Sequence, residues 1–277
     1  MCLRVNAASD TESMSSNSSS NNVGLFVTCL VDLYRPNVGF AAISLLEKAG
    51  CTVSVPETQT CCGQPAFNSG ETVNSAEIAK ATIEAFDAFD YIVCPSGSCA
   101  GMLREHYPEL LADDSEWSKR AEAFSSRVHE LTAFLVDVLG FEGIDAQFAH
   151  SVTYHDSCSG LREMGIKTQP RNLLARVAGL TINEMNDTEV CCGFGGTFCV
   201  KYPEISERMV SDKAALARQS EAEVLLAGDM GCLLNISGRL KRIESSSAAD
   251  DKSMRVYHVA EVLAGMADCS GIGDPEK

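Results

Sequence analysis

The chain repeats a pattern of cysteines, and this internal duplication constrains its fold more than any other feature. The recurring residues are Cys29 with Cys158, Cys61 with Cys191, Cys62 with Cys192, and Cys99 with Cys232. The offset is 129 residues for the first pair, 130 for the next two and 133 for the last, a drift that short loop insertions explain. We interpret the chain as two homologous units, 23–140 and 151–268, joined by a linker at 141–150 and flanked by tails at 1–22 and 269–277.

Each unit shows the same order of predicted elements. A short apolar strand (GLFVT or SVTYH) ends at the first cysteine, and a helix, over 40–49 or 171–178, ends at an Ala-Gly pair. A β-rich run (TVSV or LTINE) then leads to the paired cysteines. A second helix follows, over 71–86 in the first unit and beginning at Pro203 in the second. A third strand (YIV or VLL) leads to the last cysteine. Strands that alternate with helices predict a parallel α/β sheet, whose strands end at a common edge. The fold class is therefore predicted to be two parallel α/β units with cysteine loops at the carboxyl ends of the strands.

Charge and composition exclude several classes of function. The 277 residues contain 22 Lys and Arg against 38 Asp and Glu, a net charge of −16, whereas nucleic-acid binding requires a basic face. The sequence lacks the run of about 20 apolar residues that a transmembrane helix needs. Residues 1–22, rich in Ser and Asn, are expected to be a disordered tail and lack the apolar core of a signal peptide. We therefore expect a cytoplasmic protein with no nucleic-acid partner and no transmembrane segment.

Thirteen cysteines are too many for an ordinary reduced enzyme. A disulfide scaffold is typical of short exported chains, so metal binding or redox chemistry is the better interpretation. The eight recurring cysteines are the expected ligands, together with Cys94, which aligns with Ala227 and belongs to the first unit alone. The cysteines without a counterpart are interpreted as bystanders: Cys2, Cys51, Cys199 and Cys269.

Four thiolates from three strand-end loops suit a soft metal centre, either an iron–sulfur cluster or tetrahedral zinc. Adjacent cysteines point in different directions on an extended backbone, which suits separate irons better than one small ion. Backbone N–H groups near Gly193, Gly195 and Gly196 are candidate donors to cluster sulfurs. The residues therefore favour a cluster, with zinc left open as the alternative.

The local strings TCCGQPAFNSG, CPSGSCAGML, YHDSCSGLREMG and CCGFGGTF resemble the cysteine-rich CCG-domain family. That family includes the B subunit of heterodisulfide reductase and the iron–sulfur subunit of glycolate oxidase, and the strings look most like its lactate-utilisation members. The family pattern is a cysteine, thirty-odd residues, Cys-Cys-Gly, thirty-odd more, and a closing cysteine pair. The resemblance covers nearly all of 23–268.

This resemblance implies an iron–sulfur oxidoreductase subunit of a complex that oxidises L-lactate to pyruvate. It implies one cysteine-ligated cluster of the [4Fe-4S] type in each unit. The clusters of heterodisulfide reductase are non-cubane, so the resemblance extends to that form as well. It also implies, as partners, other lactate-utilisation proteins, among them a ferredoxin-type iron–sulfur protein, with L-lactate as the candidate substrate. The absence here of the ferredoxin run C-x₂-C-x₂-C-x₃-C fits the need for such a partner.

Two positions depart from the family pattern. Heterodisulfide reductase closes each motif with Cys-x-x-Cys and uses five cysteines per domain, whereas Ser96 and Asp229 stand at the first closing position here. In the first unit Cys94 is the candidate fifth thiolate. In the second unit Asp229 is a weak candidate, because a carboxylate is a poorer ligand for a soft centre. Zinc in one unit and a cluster in the other is a further alternative.

Histidines distinguish the two units. His155 precedes Cys158 by three residues, and Phe26 stands at the equivalent position of the first unit. It is a weak candidate for a catalytic proton carrier or a ligand, but a histidine that hydrogen-bonds a loop is the favoured interpretation. His129 aligns with His258 at an offset of 129, and each is predicted to begin a helix with a hydrogen bond.

Other functions remain open. One is a zinc-stabilised scaffold subunit, and another is a thiol–disulfide oxidoreductase of the heterodisulfide type that uses the vicinal cysteines. Arg104 and Arg162 lie near cluster cysteines in the sequence and are candidates to bind a substrate carboxylate, with solvated surface as the equal alternative.

Overall fold

The computed structural model describes residues 21–246 and 253–274, and the described residues form two four-stranded sheets. The first sheet, in the order β2-β1-β3-β4, contains Asn22–Leu25 (β1), Thr52–Ser54 (β2), Tyr91–Cys94 (β3) and Val128–Glu130 (β4). The second, in the order β6-β5-β7-β8, contains Ser151–Tyr154 (β5), Thr181–Ile182 (β6), Val224–Ala227 (β7) and Arg255–His258 (β8). All pairings between these strands are parallel, which confirms the predicted duplicated α/β fold.

Helices connect the strands in both halves. Those of the first half are Cys29–Tyr34 (α1), Pro36–Lys48 (α2), Gln64–Phe67 (α3), Thr72–Ala85 (α4), Gly97–Gly101 (α5), Tyr107–Leu110 (α6), Trp117–Ser125 (α7) and Leu131–Ala133 (α8). Two π-helical turns, Met102–His106 and Phe134–Val138, follow α5 and α8. Those of the second half are Cys158–Arg162 (α9), Thr168–Leu174 (α10), Phe198–Lys201 (α11), Pro203–Gln219 (α12), Met230–Ser246 (α13) and Val259–Leu263 (α14).

The predicted helices are present, but two of them begin earlier than expected. The helix predicted over 40–49 begins at Pro36, whose fixed φ suits the first helical position. The helix predicted over 171–178 begins at Thr168 and ends at Leu174, so its predicted end at the Ala-Gly pair is wrong. The Ala-Gly pairs do reverse the chain, because Gly50 and Gly179 have φ of 86° and 79°. The fourth strand of each sheet was not predicted, since it is only three or four residues long and runs directly into a helix.

The strand register corrects the alignment of the histidines. Cys94 pairs with Glu130 in the first sheet, and Ala227 pairs with His258 in the second. Glu130, and not His129, is therefore the structural equivalent of His258. Both side chains accept backbone N–H bonds at the start of the following helix, as a helix cap does, whereas His129 lies within β4. The predicted helix start is thus confirmed for His258 and wrong for His129.

The two halves share one hydrophobic core. A single cluster of buried apolar side chains contains residues of both sheets, and α2 of the first half packs on α14 of the second. The equivalent contact, α10 on α8, is also present. Ala146 and Phe148 are buried in this cluster, so the segment 141–150 is part of the packing. Further contacts, α1 with α13 and α5 with α9, join helices that carry cysteines, so the carboxyl edges of the two sheets meet.

The helices of residues 21–246 and 253–274 are short or carry many polar residues. None of the helices found there combines the length and the apolar character needed to cross a bilayer.

Candidate metal centres

The first unit brings its five predicted cysteines together at the carboxyl edge of its sheet. They are Cys29 at the start of α1, Cys61 and Cys62 in the loop after β2, Cys94 at the end of β3, and Cys99 in α5. The Sγ atoms of Cys29 and Cys61 are 3.8 Å apart, and those of Cys62 and Cys99 are 3.5 Å apart. Thiol hydrogen bonds also join Cys61 to Cys62 and Cys94 to Cys99. The five sulfur atoms therefore form one continuous chain of contacts.

The second unit reproduces this arrangement with four cysteines. They are Cys158 at the start of α9, Cys191 and Cys192 in the loop before α11, and Cys232 in α13. The Sγ atoms of Cys158 and Cys191 are 4.0 Å apart, and thiol hydrogen bonds join Cys191 to Cys192 and Cys192 to Cys232. The backbone N–H of Gly193 donates to the sulfur of Cys191 at 3.3 Å, as expected for a donor near a metal-bound sulfur. All eight recurring cysteines thus lie in two equivalent clusters.

A glycine ends each Cys-Cys pair for a steric reason. Gly63 and Gly193 have φ of 83° and 81°, a left-handed conformation that other residues rarely adopt. A Cβ atom at Gly193 would also lie 2.9 Å from the carbonyl oxygen of Ser206. The Cys-Cys-Gly motif therefore encodes a turn that places both thiols toward the centre.

The carbonyl group of the second cysteine in each pair is held by a side chain. The hydroxyl of Tyr107 donates to the carbonyl of Cys62 at 3.0 Å, and the amide of Asn235 donates to the carbonyl of Cys192 at 2.9 Å. These two anchors come from different elements, α6 and α13, and no repeat in the sequence indicates them. Each nevertheless stabilises the orientation of the paired thiols.

Hydrogen bonds between thiols change their acidity. The hydrogen bond from Cys29 and the hydrogen bond with Cys62 lower the pKa of Cys61 to about 3. In the second unit, hydrogen bonds with Cys158 and Cys192 lower the pKa of Cys191 to about 2. Hydrogen bonds with Cys61 and Cys99, together with burial, raise the pKa of Cys62 well above its ordinary value. Each site therefore pairs a thiolate with protonated thiols, and metal binding at these thiols releases protons.

His155 lies beside the second cluster. Its side chain is fully buried, and neither ring nitrogen has a hydrogen-bond partner within the described part of the chain. The loop hydrogen bond that the sequence favoured is therefore wrong. A ring nitrogen of His155 and the sulfur atoms of Cys192 and Cys232 all lie within 4.8 Å of one another. Burial, with the nearby charge of Lys213, lowers the pKa of His155 to about 4, so its ring is neutral at pH 7 and able to bind a metal.

Asp229, the weak carboxylate candidate, lies at the contact between the units. One carboxylate oxygen accepts hydrogen bonds of 3.0 Å from the hydroxyl of Ser96 and from the backbone N–H of Ser98. The other oxygen accepts from the backbone N–H of Gly231 at 3.1 Å. These three bonds account for both oxygens and give Asp229 a structural role between the two cysteine loops.

The loops of the two sites touch each other. The N–H of Gly97 donates to the carbonyl of Gly228 at 3.4 Å, and a Cβ atom at Gly97 would lie 2.7 Å from the Cα of Gly160. The ring of His258 is hydrogen-bonded to the carbonyl of Pro95 at 3.1 Å. The two candidate centres therefore face each other across the contact between the units.

Sequence reasoning missed Lys213, a fully buried cation near the second cluster. Its Nζ donates to the carbonyl groups of Asp187 and Thr188 at 2.7 and 3.2 Å. A signal was present, because Lys213 falls three residues after Val210 and four before Ala217, within the buried stripe of α12. Such a lysine adds positive charge beside a group of thiolates.

The remaining cysteines of the described residues are free thiols outside the clusters. Cys51 is buried in the apolar core, and Cys199 donates to the carbonyl of Gly196 at 3.6 Å. Cys269 is exposed beside the guanidinium of Arg35, whereas Cys2 lies outside the described residues.

The two candidate arginines have different surroundings. Arg104 pairs with Glu105 at 3.6 Å. Arg162 lines an open cleft of about 640 Å³ next to the second cluster, whose lining extends to Val190, the residue before the Cys-Cys pair. Arg162 is therefore the arginine better placed to meet a small molecule near a cysteine centre.

Comparisons with known proteins agree with this architecture. The profile of the cysteine-rich CCG domain matches residues 23–104 and 152–237. The chain is 47% identical over 241 residues to lactate utilization protein A of Bacillus subtilis (strain 168), covering 87% of this chain and 98% of that protein. It is 49% identical over 242 residues to lactate utilization protein A of Shouchella clausii (strain KSM-K16), with the same coverage.

Among solved structures, the crystal structure of a hypothetical protein from Helicobacter pylori is similar, with a TM-score of 0.65 at 11% identity. The match covers 90% of this chain and 49% of that one, so this chain spans about half its length, and the likeness concerns the fold alone. The profile matches and the curated relatives identify the family. The chain belongs to the cysteine-rich CCG-domain family, in the group that contains the lactate utilization protein A sequences.

Proposed function

We propose that this chain is an iron–sulfur redox subunit in the oxidation of L-lactate to pyruvate, with one cysteine-held cluster in each unit. Its similarity to the lactate utilization protein A sequences supports the pathway. The observation that carries the chemistry is the pair of equivalent cysteine clusters at the facing edges of the two sheets.

The number of sulfur atoms favours a cluster over a single ion. Tetrahedral zinc takes four ligands, whereas the five thiols of the first unit form one chain of contacts. The distances alone do not decide, because sulfur atoms around a zinc ion with ~2.3 Å bonds are about 3.8 Å apart, close to the 3.5 and 3.8 Å found here. The fifth thiol, from Cys94, is what favours a group with more than one metal atom.

The chain's own residues supply binding, orientation and exclusion of water. Cys62 and Cys192 are 3% and 1% exposed, so their sulfur atoms are shielded from solvent. The N–H of Gly193 donates to the sulfur of Cys191, which lowers the negative charge on that sulfur. A bound cluster supplies one-electron transfer, with a potential that such hydrogen bonds and burial tune.

Partners and substrate follow from this proposal. Oxidation of lactate to pyruvate releases two electrons and two protons, and the chain lacks the ferredoxin cysteine run. We therefore infer other lactate-utilisation proteins, including a ferredoxin-type one, as electron partners. Arg162 in the cleft beside the second cluster is the candidate for binding the lactate carboxylate, because a guanidinium binds a carboxylate through two parallel hydrogen bonds.

A zinc-stabilised scaffold is the second candidate, favoured by the sulfur separations just described. Anaerobic purification followed by assay of iron, sulfide and zinc distinguishes the two, since zinc protein is colourless and cluster protein is brown. We expect Cys62→Ser and Cys192→Ser each to remove the iron and sulfide of its own unit, while the controls Cys51→Ala and Cys199→Ala keep both. Zinc without iron in the wild-type protein would overturn the proposal.

A further inference from the structure

The two units differ at a pair of adjacent strand-end positions. Phe26 and His155 follow β1 and β5, and their N–H groups donate to carbonyl groups of β3 and β7 at 2.9 and 2.8 Å. Each therefore lies beside the last residue of the neighbouring strand, which is Cys94 in the first unit and Ala227 in the second. The first unit has phenylalanine beside cysteine, and the second has histidine beside alanine. Each unit thus places one metal-binding side chain at this pair of positions, but from a different strand.

Both of these side chains lie against the same part of their cluster. The thiol of Cys94 is hydrogen-bonded to Cys99, and the ring of His155 lies within 4.8 Å of the sulfur of Cys232, the equivalent of Cys99. The histidine ring keeps the aromatic shape that Phe26 has in the first unit, and it adds two nitrogen atoms. The second unit therefore has an imidazole next to the position where the first unit has its fifth thiol.

The unpaired state of His155 requires an explanation. Buried polar atoms in proteins nearly always have a hydrogen-bond partner, because desolvation without one is unfavourable. Both ring nitrogens of His155 lack a partner among residues 21–246 and 253–274. The neighbouring Asp156, a potential partner, is instead paired with Arg171 at 2.8 Å. A metal at the cluster gives one of these nitrogens its missing partner.

We propose that His155 is the fifth ligand of the second centre, so that the first centre is held by five thiolates and the second by four thiolates and one imidazole. This assignment rests on the proposed function, because it requires a metal in the second unit. Imidazole is a common ligand for iron and zinc, and it is neutral where a thiolate is anionic.

The exchange of ligand changes the charge of the second centre. Replacement of thiolate by histidine raises the reduction potential of iron–sulfur centres. The buried Lys213 acts in the same direction, because its positive charge favours negative charge on the sulfur of Cys232. We therefore expect the second centre to have the higher potential and to hold electrons in preference to the first.

The ligand is tested by spectroscopy of the full-length protein. Cys62→Ser removes the first centre, and the second is then examined by pulsed electron paramagnetic resonance after reduction, with and without ¹⁵N-labelled histidine. We expect a nitrogen coupling that changes with the label and disappears in His155→Phe. The control is His150→Gln, which lies before β5 at the opposite edge of the sheet and is expected to keep the coupling. Zinc in the second unit would contradict the expected order of potentials, and zinc X-ray absorption would then test the ligand by counting nitrogen and sulfur neighbours.

A second pair of variants separates ligation from folding. His155→Phe is expected to lose metal from the second unit. Adding Ala227→Cys gives the second unit the Phe and Cys of the first, and this double variant is expected to regain the metal. Its second centre is expected to have a lower midpoint potential than in the wild type and no histidine coupling. Either of two results would overturn the assignment and leave the proposed function intact. One is full metal with no histidine coupling in the wild-type protein, and the other is a His155→Phe variant that keeps its full metal with an unchanged potential. Absence of metal from the second unit of the wild-type protein would overturn both.

Discussion

Ser96 and Asp229 occupy equivalent positions in the two units, and they are hydrogen-bonded to each other. The hydroxyl of Ser96 donates to the carboxylate of Asp229 at 3.0 Å, and both residues are 3% exposed. These are the two positions at which the chain departs from the closing Cys-x-x-Cys of heterodisulfide reductase. Both departures therefore contribute to one contact between the two cysteine loops.

Asp229→Asn tests this contact. The amide keeps the size of the carboxylate but turns an N–H₂ group toward donors that now bond to an oxygen. We therefore expect the free energy of unfolding, measured in urea, to fall by about 1–3 kcal/mol. The matched control is Asp113→Asn at an exposed position, which is expected to change stability by less than about 0.5 kcal/mol. Equal stability of the two variants would contradict the role assigned to Asp229.

Gly97→Ala tests the close approach of the units. An added Cβ atom would lie 2.7 Å from the backbone of Gly160, and the backbone cannot move away as a flexible side chain can. We expect overpacking to lower the free energy of unfolding by about 1–3 kcal/mol, as measured by thermal or urea unfolding. Gly39→Ala in α2 is the control, because its Cβ would make ordinary contacts of 3.8 Å and alanine favours a helix. If Gly97→Ala is as stable as Gly39→Ala, the described contact is wrong.

Glu130→Gln is expected to change the pH dependence of stability. Burial raises the pKa of Glu130 from 4.5 to about 7. The protonated carboxyl is therefore favoured in the folded protein, and its contribution to stability is fully present below about pH 4.5. This contribution is lost as the pH rises to about 7, where the buried carboxyl ionises. A pKa shift of this size corresponds to a decrease of about 3 kcal/mol in the free energy of unfolding across this pH range. We expect the variant and the wild type to have similar stability near pH 4.5, and the variant to be more stable at pH 8.

Urea unfolding across this pH range provides the measurement. Glu122→Gln at an exposed position is the control and is expected to follow the wild type at every pH. A constant difference between Glu130→Gln and the wild type from pH 4.5 to 8 would show that folding does not raise the pKa of Glu130.

Thiol alkylation at pH 6 tests the electrostatics of the clusters. In reduced, metal-free protein the low pKa of Cys61 makes it a thiolate at this pH, whereas Cys62 is buried and its pKa is raised. We expect iodoacetamide to modify Cys61 at least about tenfold faster than Cys62, as read by mass spectrometry of peptides. Protein that retains its metal is expected to be protected at both. Equal rates at the two cysteines of the metal-free chain would contradict the thiolate assignment.

Local and repeated features of the sequence predicted most of the architecture. The duplicated cysteine spacing, the Ala-Gly pairs and the alternation of strand and helix patterns each depend on residues close in the chain. The structure has both sheets and, for α2, the helix end that the Ala-Gly pair indicates. The eight recurring cysteines were found by the same repeat, because loops after parallel strands gather at one edge. The starts of α2 and α10 were displaced by four and three residues, and for α2 the reason is Pro36, which lies outside the apolar pattern.

The duplication and the cysteine positions were thus determined by the amino-acid sequence itself. Only the tertiary structure decided that Glu130 matches His258, that Asp229 bonds to Ser96, and that the buried ring of His155 has no partner in the described chain. The physical reason is that these facts depend on strand register and on contacts between the units. Such contacts join residues more than 100 positions apart, and the periodicity of a single segment carries no information about them.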